Sequence, residues 1–312
     1  MKQNIAFVFP GQGSQSVGML SDIAKEFPDI QSAYTEASHV LDYDLWKLVQ
    51  NGPKEELDKT VHTQPALLVG SYALWKIIQK KIPLKPALLA GHSLGEYTAL
   101  VCAESISFQD AVRLVAARGQ YMQAAVPVGE GALAAIIGLE DDAVRAICEK
   151  AAQSNEILSP ANFNSPGQVV IAGNTPAVLR AIFLAKEAGA RLAKLLPVSA
   201  PSHCALMKPA AEQLKKLLAT LKIEKPVIPV LSNVDVMAYQ NADAIRDGLT
   251  RQLFMPVRWV ELMQVFAKSG IQSVVECGPG KVLTGLNKRI VEEMQLSSTA
   301  DLASLNAFLQ DT

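Results

Sequence analysis

Cysteine is scarce in this chain. Cys102, Cys148, Cys204 and Cys277 are the only four in 312 residues, and they lie dozens of positions apart with no C-x-x-C pair. That spacing excludes a disulfide-stapled scaffold and a cysteine-built zinc site, and leaves four buried thiols. Neither sign of charge is in excess: 29 Lys and Arg face 30 Asp and Glu. No global field points toward nucleic acid or an anionic membrane, so an acidic partner has to find a local basic patch. Long apolar runs are missing too. The opening run, Ile5–Phe9, is too short for a secretory signal and no later run reaches transmembrane length, so a cytoplasmic setting with no membrane contact is expected. Internal repeats and low-complexity segments are absent. Histidine occurs only four times, which limits the choice of a general base.

The hydrophobic share is 49% and the charged share 19%, enough for one large or two modest cores. Apolar runs at 5–9, 87–90, 227–231 and 273–276 read as buried strands, and 66–80, 108–124 and 208–219 carry apolar residues at helical spacing. These outer segments predict one α/β domain. The middle reads separately: a strand at 132–137, a helix at 141–152, and strands at 157–163 and 169–172 joined through "NSPGQ". A second helix follows, with Thr175 as its cap, Pro176 in its first turn and Gly189 at its left-handed exit; a strand at 192–198 ends the unit. The order βαββαβ predicts a ferredoxin-like subdomain at 128–198, inserted into a large domain of 1–127 and 199–312.

"AGHSLGEYTA" places Ser93 between Gly91 and Gly95 after an apolar run and before a helical one. G-x-S-x-G in that context is a strand-to-helix elbow that exposes a serine hydroxyl beside free helix N–H groups. The same residues also suit a capping box, with Ser93 bonding the Glu96 amide and Glu96 reaching back. A serine nucleophile needs a base within reach. His39 and His62 sit among polar residues, and His92 should project to another side of the turn. His203, in "PVSAPSHCALMKPA", lies between a strand and a helix, as a residue at the rim of a sheet would. Cys204 beside it is a second conceivable nucleophile, although sequence neighbours need not face one another.

"FPGQGSQ" at 9–15 is the other glycine-rich turn after a strand. A nucleotide loop of the G-x-G-x-x-G kind needs Gly or Ala where Ser16 stands, and the P-loop lysine is missing. An oxyanion hole fits better, with one amide from Leu94, after the nucleophile, and one from Gln12 in the separate turn.

Taken together, "FPGQGSQ", "TQPAL", "GHSLGEY", "ARGQYMQ", "SPGQVVIAG", "PVSAPSHCALMKP", "RQLFMPVRW" and "ECGPGKVLTGL" resemble the malonyl-CoA:acyl carrier protein transacylases of bacterial fatty acid synthesis. The resemblance covers nearly the whole chain and weakens after Met294. It implies an α/β-hydrolase-like core with a mostly parallel sheet and an inserted ferredoxin-like subdomain. It also implies Ser93 as the acyl-carrying nucleophile, His203 as its base and the Gln252 backbone carbonyl as the group orienting that base.

Arg118 matches the family's partner for the free malonyl carboxylate, where a guanidinium offers two parallel hydrogen bonds. Gln64, Met122 and Asn162 match pocket positions. From the residues alone, Gln252 also reads as a polar helix end, and Arg118 as a complement to a helix's negative terminus. The implied reaction passes malonyl from malonyl-CoA to Ser93, releases CoA, and passes the group to the phosphopantetheine thiol of acyl carrier protein. It requires no cofactor or metal.

Acyl carrier proteins are acidic, so the docking face should be basic. Lys76, Lys80, Lys81 and Lys85 form one candidate cluster. Lys186, Arg191 and Lys194 form another, although Leu192 stands where the family has an adjacent cation. Two other readings compete. A serine hydrolase of the common α/β order would carry its histidine last, whereas more than a hundred residues follow His203 here. A non-catalytic carrier-docking module would have no use for Ser93, His203 and Arg118 together.

Overall fold

The computed structural model describes residues 4–82, 84–198 and 200–310. Its strands in chain order are β1 (Ile5–Phe9), β2 (Leu88–Gly91), β3 (Gly131–Ile137), β4 (Leu158–Ser165), β5 (Gln168–Asn174), β6 (Leu192–Leu195), β7 (Ser273–Glu276) and β8 (Gln295–Ser298). They form two sheets: a parallel one in the order β2-β1-β7-β8 and an antiparallel one in the order β4-β5-β3-β6.

All five residues of β1 are buried, because layers cover both faces of the parallel sheet. Alternate side chains enter different cores. Ile5, Phe7 and Phe9 join the larger one, where Phe7 meets Trp75 edge-on at 5.2 Å. Ala6 and Val8 pack with Trp259, Leu262 and Phe266 on the opposite side. The register pairs Phe9 with Gly91, so the carboxyl ends of β1 and β2 are adjacent and the turns at 9–15 and 90–95 become neighbours. From β1 the chain crosses to β2 on one side, while β7 lies on the other. The crevice beyond the strand ends at such a reversal is where open α/β sheets bind ligands.

In the antiparallel sheet, helices Asp141–Ala151 and Thr175–Glu187 cover one face through Val144, Ile147, Val178 and Ala181. The other face, with Leu133, Ala161 and Val170, packs on Cys204 and Leu206. Reciprocal backbone bonds of 2.9 Å, from Phe163 N–H to the Val257 carbonyl and from Val257 N–H to the Ala161 carbonyl, tie β4 to the outer segments.

Several local expectations are corrected. Residues 227–231 form no ladder strand: Pro226 and Pro229 have no N–H to donate, and only Val230 bridges Leu89, as a proline-bearing sheet edge does. The helix expected at 66–80 runs from Thr60 to Lys81 and contains Pro65. Side-chain bonds from Thr63 Oγ1 to the Leu57 carbonyl (2.5 Å) and between His62 Nδ1 and the Glu56 carbonyl (2.8 Å) hold the turn before that proline. Thr175 does not cap its helix. Asn174 occupies the cap position, while the Thr175 hydroxyl bonds the Gly129 carbonyl at 2.7 Å. The last strand of the unit stops at Leu195. Residue 199, the expected restart of the large domain, lies outside the described residues, as do its ends at 1–3 and 311–312.

Candidate active site

At the end of β2 the chain turns through Ser93 at φ 51° and ψ −105° and enters helix Leu94–Cys102. Only glycine fits on either side of it. A Cβ on Gly91 would lie 1.8 Å from the Gly95 carbonyl carbon, and one on Gly95 would lie 2.0 Å from the Phe9 oxygen. A left-handed serine costs about 1–3 kcal/mol, so its surroundings must hold it. Asn233 does so: its Oδ1 accepts from Ser93 N–H at 2.8 Å, and its Nδ2 donates to the Gly91 carbonyl at 2.7 Å. The capping-box alternative fails, because the Ser93 side chain makes no cap bond and the Glu96 carboxylate is engaged elsewhere.

His203 reaches Ser93 from its loop, also with positive φ (63°). Its Nδ1 lies 2.7 Å from the Gln252 carbonyl oxygen and its Nε2 2.8 Å from Ser93 Oγ. A carbonyl can only accept, so Nδ1 carries the proton and the Nε2 lone pair receives the serine O–H. Burial, aided by the nearby Arg118 charge, pushes the His203 pKa down to about 3, so the ring is neutral at ordinary pH.

None of the other histidines bonds Ser93, although His92 lines the same cavity. His92 bonds Asn164 at 2.8 Å and sits against Trp259, His39 is exposed, and His62 bonds the Glu56 carbonyl. Cys204 is turned away: its thiol bonds the Pro201 carbonyl at 3.2 Å, and burial pushes its pKa up to about 12.

Arg118 comes from helix Phe108–Ala124, and Gln64 from the helix that it crosses. The crossing is tight at Gly119, where a Cβ would lie 2.7 Å from Val61 Cα. Arg118 is 1% exposed. Its Nη1 donates to Gln64 Oε1 at 2.8 Å, while its Nη2 donates to Gln252 Oε1 at 3.0 Å and to Ser93 Oγ at 3.1 Å.

Tyr97 lies against its guanidinium at 5.2 Å. Nε has no partner and, among the described residues, no carboxylate is within ion-pair distance. The helix continues a further turn and a half, so Arg118 is not neutralising a helix end. A buried cation whose direct partners are all neutral favours an arriving anion.

Gln252 ends helix Ala242–Gln252 and is fully buried. Its orientation is forced, because Oε1 faces the donor-only Arg118 while Nε2 donates to the Ser93 carbonyl at 2.9 Å and to Glu96 Oε2 at 2.6 Å. Glu96 also accepts from the Tyr239 hydroxyl at 2.5 Å and from Asn233 N–H at 3.3 Å. Burial raises its pKa to about 7 against these bonds. Sequence reasoning missed Glu96, Asn233 and Tyr239 as parts of the site. Glu96 stood within the elbow motif, but as a cap partner; Asn233 and Tyr239 carry no local signal.

A cleft of about 200 Å³ opens over these groups. Gln12 and Leu94 line it, and neither backbone N–H donates a hydrogen bond among the described residues. Gln64, whose Nε2 approaches Met122 Sδ at 3.6 Å, lines the same wall. Leu133, Asn162 and Val170 of the antiparallel sheet form the facing wall.

The two lysine clusters are surface features. Lys80 pairs with Asp29 and Lys81 lies over Phe27, whereas Lys186, Arg191 and Lys194 are exposed with no ion pair among the described residues. No group of three His, Cys, Asp or Glu among the described residues could hold a metal, and no helix is long and apolar enough to cross a membrane.

Residues 6–306 match the acyl transferase domain family. A malonyl CoA-acyl carrier protein transacylase of Escherichia coli K12 is 55% identical over 98% of both chains, and its Haemophilus influenzae namesake is 56% identical with the same coverage. Among solved structures, an acyl carrier protein S-malonyltransferase from Vibrio cholerae superposes with a TM-score of 0.95 at 56% identity, covering 98% of this chain and 99% of that one. A malonyl-transacylase in complex with a holo type II PKS acyl-carrier protein superposes at 0.97 with 53% identity, over 99% and 100% of the two chains.

Proposed function

Since the chain belongs to the acyl transferase family, we propose that it moves malonyl from malonyl-CoA to acyl carrier protein through a malonyl-serine, supplying fatty acid synthesis. One observation carries the reading: Ser93 Oγ is shared by His203 Nε2 at 2.8 Å and Arg118 Nη2 at 3.1 Å. Nucleophile, base and carboxylate receptor meet at a single oxygen.

Ser93 attacks the thioester carbonyl while His203 takes its proton. The Gln12 and Leu94 amides, free of other acceptors, hold the oxyanion, and the imidazolium returns its proton to the leaving CoA sulfur. The phosphopantetheine thiol of acyl carrier protein then gives its proton to His203 and attacks the ester. Malonyl leaves on that sulfur and Ser93 regains its proton. Arg118 pairs with the malonyl carboxylate throughout, with Gln64 fixing its other arm. Met122 and Asn162 shape the pocket around the acyl chain.

In this reading the outer segments, 1–127 and 199–312, are an α/β-hydrolase-like domain, and 128–198 is a ferredoxin-like insertion that supplies the facing wall. Lys186, Arg191 and Lys194 on the insertion are the better candidates for CoA phosphates and the acidic carrier, since they are exposed and carry no ion pair among the described residues. Four free, buried thiols suit a cytoplasmic setting.

Intact-protein mass spectrometry with malonyl-CoA tests the proposal. One malonyl mass should appear on the wild type, be absent from Ser93→Ala, and leave on addition of holo acyl carrier protein. Loss to water with no acceleration by thiol would indicate a hydrolase instead, and no covalent mass at all would indicate a binding module.

A further inference from the structure

The Glu96 carboxylate is buried behind the reacting groups and bonds none of them, although its backbone N–H donates to the Ser93 carbonyl at 3.1 Å. Its nearest link to the site is Gln252, whose amide bonds Glu96 Oε2 at 2.6 Å, the Ser93 carbonyl at 2.9 Å and Arg118 Nη2 at 3.0 Å. The backbone carbonyl of the same glutamine holds His203 at 2.7 Å.

We propose that Glu96 is a positioning residue for malonyl transfer: its carboxylate locks the Gln252 amide, and Gln252 in turn aims the Arg118 guanidinium. The inference rests on the malonyl-transfer reading above.

Alternative partners for the three donors are hard to find. Gln252 Nε2, Asn233 N–H and the Tyr239 hydroxyl all converge on one carboxylate in a site that is closed to water. Without an acceptor there, the Gln252 amide loses the shorter of its two Nε2 bonds and keeps only the one to the Ser93 carbonyl at 2.9 Å, so Oε1 is held against Arg118 less firmly. Arg118 then keeps Gln64 on Nη1, while the acceptor on Nη2, the arm that also bonds Ser93, is braced from one side only. Recognition of a carboxylate by a guanidinium depends on both arms lying in the right plane. Malonyl should therefore suffer more than acetyl, which makes no use of the cation.

Glutamine is the informative replacement. Its carbonyl can face Gln252 and Asn233 while its amide donates to the Tyr239 oxygen, so both bonds to Gln252 and Asn233 survive, the Tyr239 bond is reversed, and the charge is lost. Alanine removes the acceptor altogether. Aspartate keeps the charge but withdraws the oxygens by one methylene.

The test measures initial rates of malonyl and acetyl loading on the full chain for wild type, Glu96→Ala, Glu96→Asp and Glu96→Gln, together with Gln252→Ala and the double variant Glu96→Ala/Gln252→Ala. Glu96→Ala should lower the malonyl-to-acetyl ratio by about tenfold or more. Glu96→Gln should restore it to within about threefold of wild type, and the double variant should fall no further than Gln252→Ala alone.

Equal loss of malonyl and acetyl loading in Glu96→Ala, or additive losses in the double variant, would reduce Glu96 to a packing residue. If Glu96→Ala does not fold, Glu96→Asp decides the matter: a lowered ratio supports the proposal and an unchanged one overturns it. A wild type that takes no malonyl mass would instead sink the transfer reading itself, so the two failures are separable.

Discussion

The two walls of the cleft are built on different principles. The elbow wall is polar, buried and almost fully bonded: Ser93, Arg118, His203 and Gln252 each hold at least one of the others at 2.7–3.1 Å. The facing wall offers Leu133, Val170, Asn162 and Asn164 from the antiparallel sheet, with Leu196 just beyond its last strand. Groups whose geometry must be held to a few tenths of an ångström are cross-braced through several elements, whereas shape alone can be supplied by one sheet face. Changes to the elbow wall should therefore alter chemistry and selectivity in steps of orders of magnitude, and changes to the facing wall in small factors.

The sharpest test of that contrast is His203→Gln. Removing the only base should slow malonyl loading by about 10²–10⁴-fold, read as the initial rate of mass gain. A loss below tenfold would mean that the bonding around Ser93 matters less than the comparison holds. The same variant has a stability signature. In the wild type, the unfolded histidine takes a proton below its ordinary pKa of 6.5, while the folded one resists down to about 3. The unfolded state then binds more protons, so stability falls as pH drops through that window. Glu96 works the other way between its unfolded value of 4.5 and its folded value of about 7, where the native state holds the extra proton. The melting temperature of His203→Gln relative to wild type should thus rise as pH is lowered from 7 to 4. A flat difference would show that His203 is not held neutral.

Arg118→Ala comes next. A buried malonyl carboxylate left without its cation costs about 2–5 kcal/mol, so malonyl loading should fall by about 30- to 5000-fold while acetyl loading changes little. Equal losses would move Arg118 from recognition to structure.

Much of the elbow wall was legible in sequence because its parts are local. Gly91 and Gly95 are fixed by backbone contact distances, and Ser93 by the turn that they permit. The helix at 108–124 was expected from its apolar spacing with the ends it has, and in the structure the Ser107 hydroxyl caps it by accepting from Asp110 N–H at 3.1 Å. Asn233, Tyr239 and Glu96 were not legible in this role. Each acts across more than 130 residues of chain, and nothing near Asn233 announces that it clamps a turn at 91–93. Residues 227–231 failed for the opposite reason, since a strong apolar run outweighed Pro229 within it and Pro226 just before it, neither of which can donate to a ladder.

Gly119 tests the bracing between helices instead of the chemistry. Alanine there would set its Cβ 2.7 Å from Val61 Cα and 2.9 Å from the Thr60 oxygen, both of them backbone and unable to swing away. Parting the helices should cost about 1–3 kcal/mol, seen as a melting point lower by several degrees. Because Arg118 and Gln64 sit on the two helices, the malonyl-to-acetyl ratio should fall with it. A loss of stability with an unchanged ratio would separate helix packing from recognition and weaken the claim that the elbow wall is braced through this crossing.

The smallest effect is expected on the facing wall. Asn162 is 7% exposed and lines the cleft, yet its side chain makes no hydrogen bond among the described residues. Asn162→Ala removes no internal bond, so the melting temperature should stay near that of wild type. What it forfeits is one neutral hydrogen bond to the acyl chain or pantetheine, about 0.5–1.5 kcal/mol, or roughly two- to tenfold in loading rate. An effect as large as that of Arg118→Ala would mean that the sheet positions the substrate as strictly as the elbow does, and the division of labour between the walls would have to be redrawn.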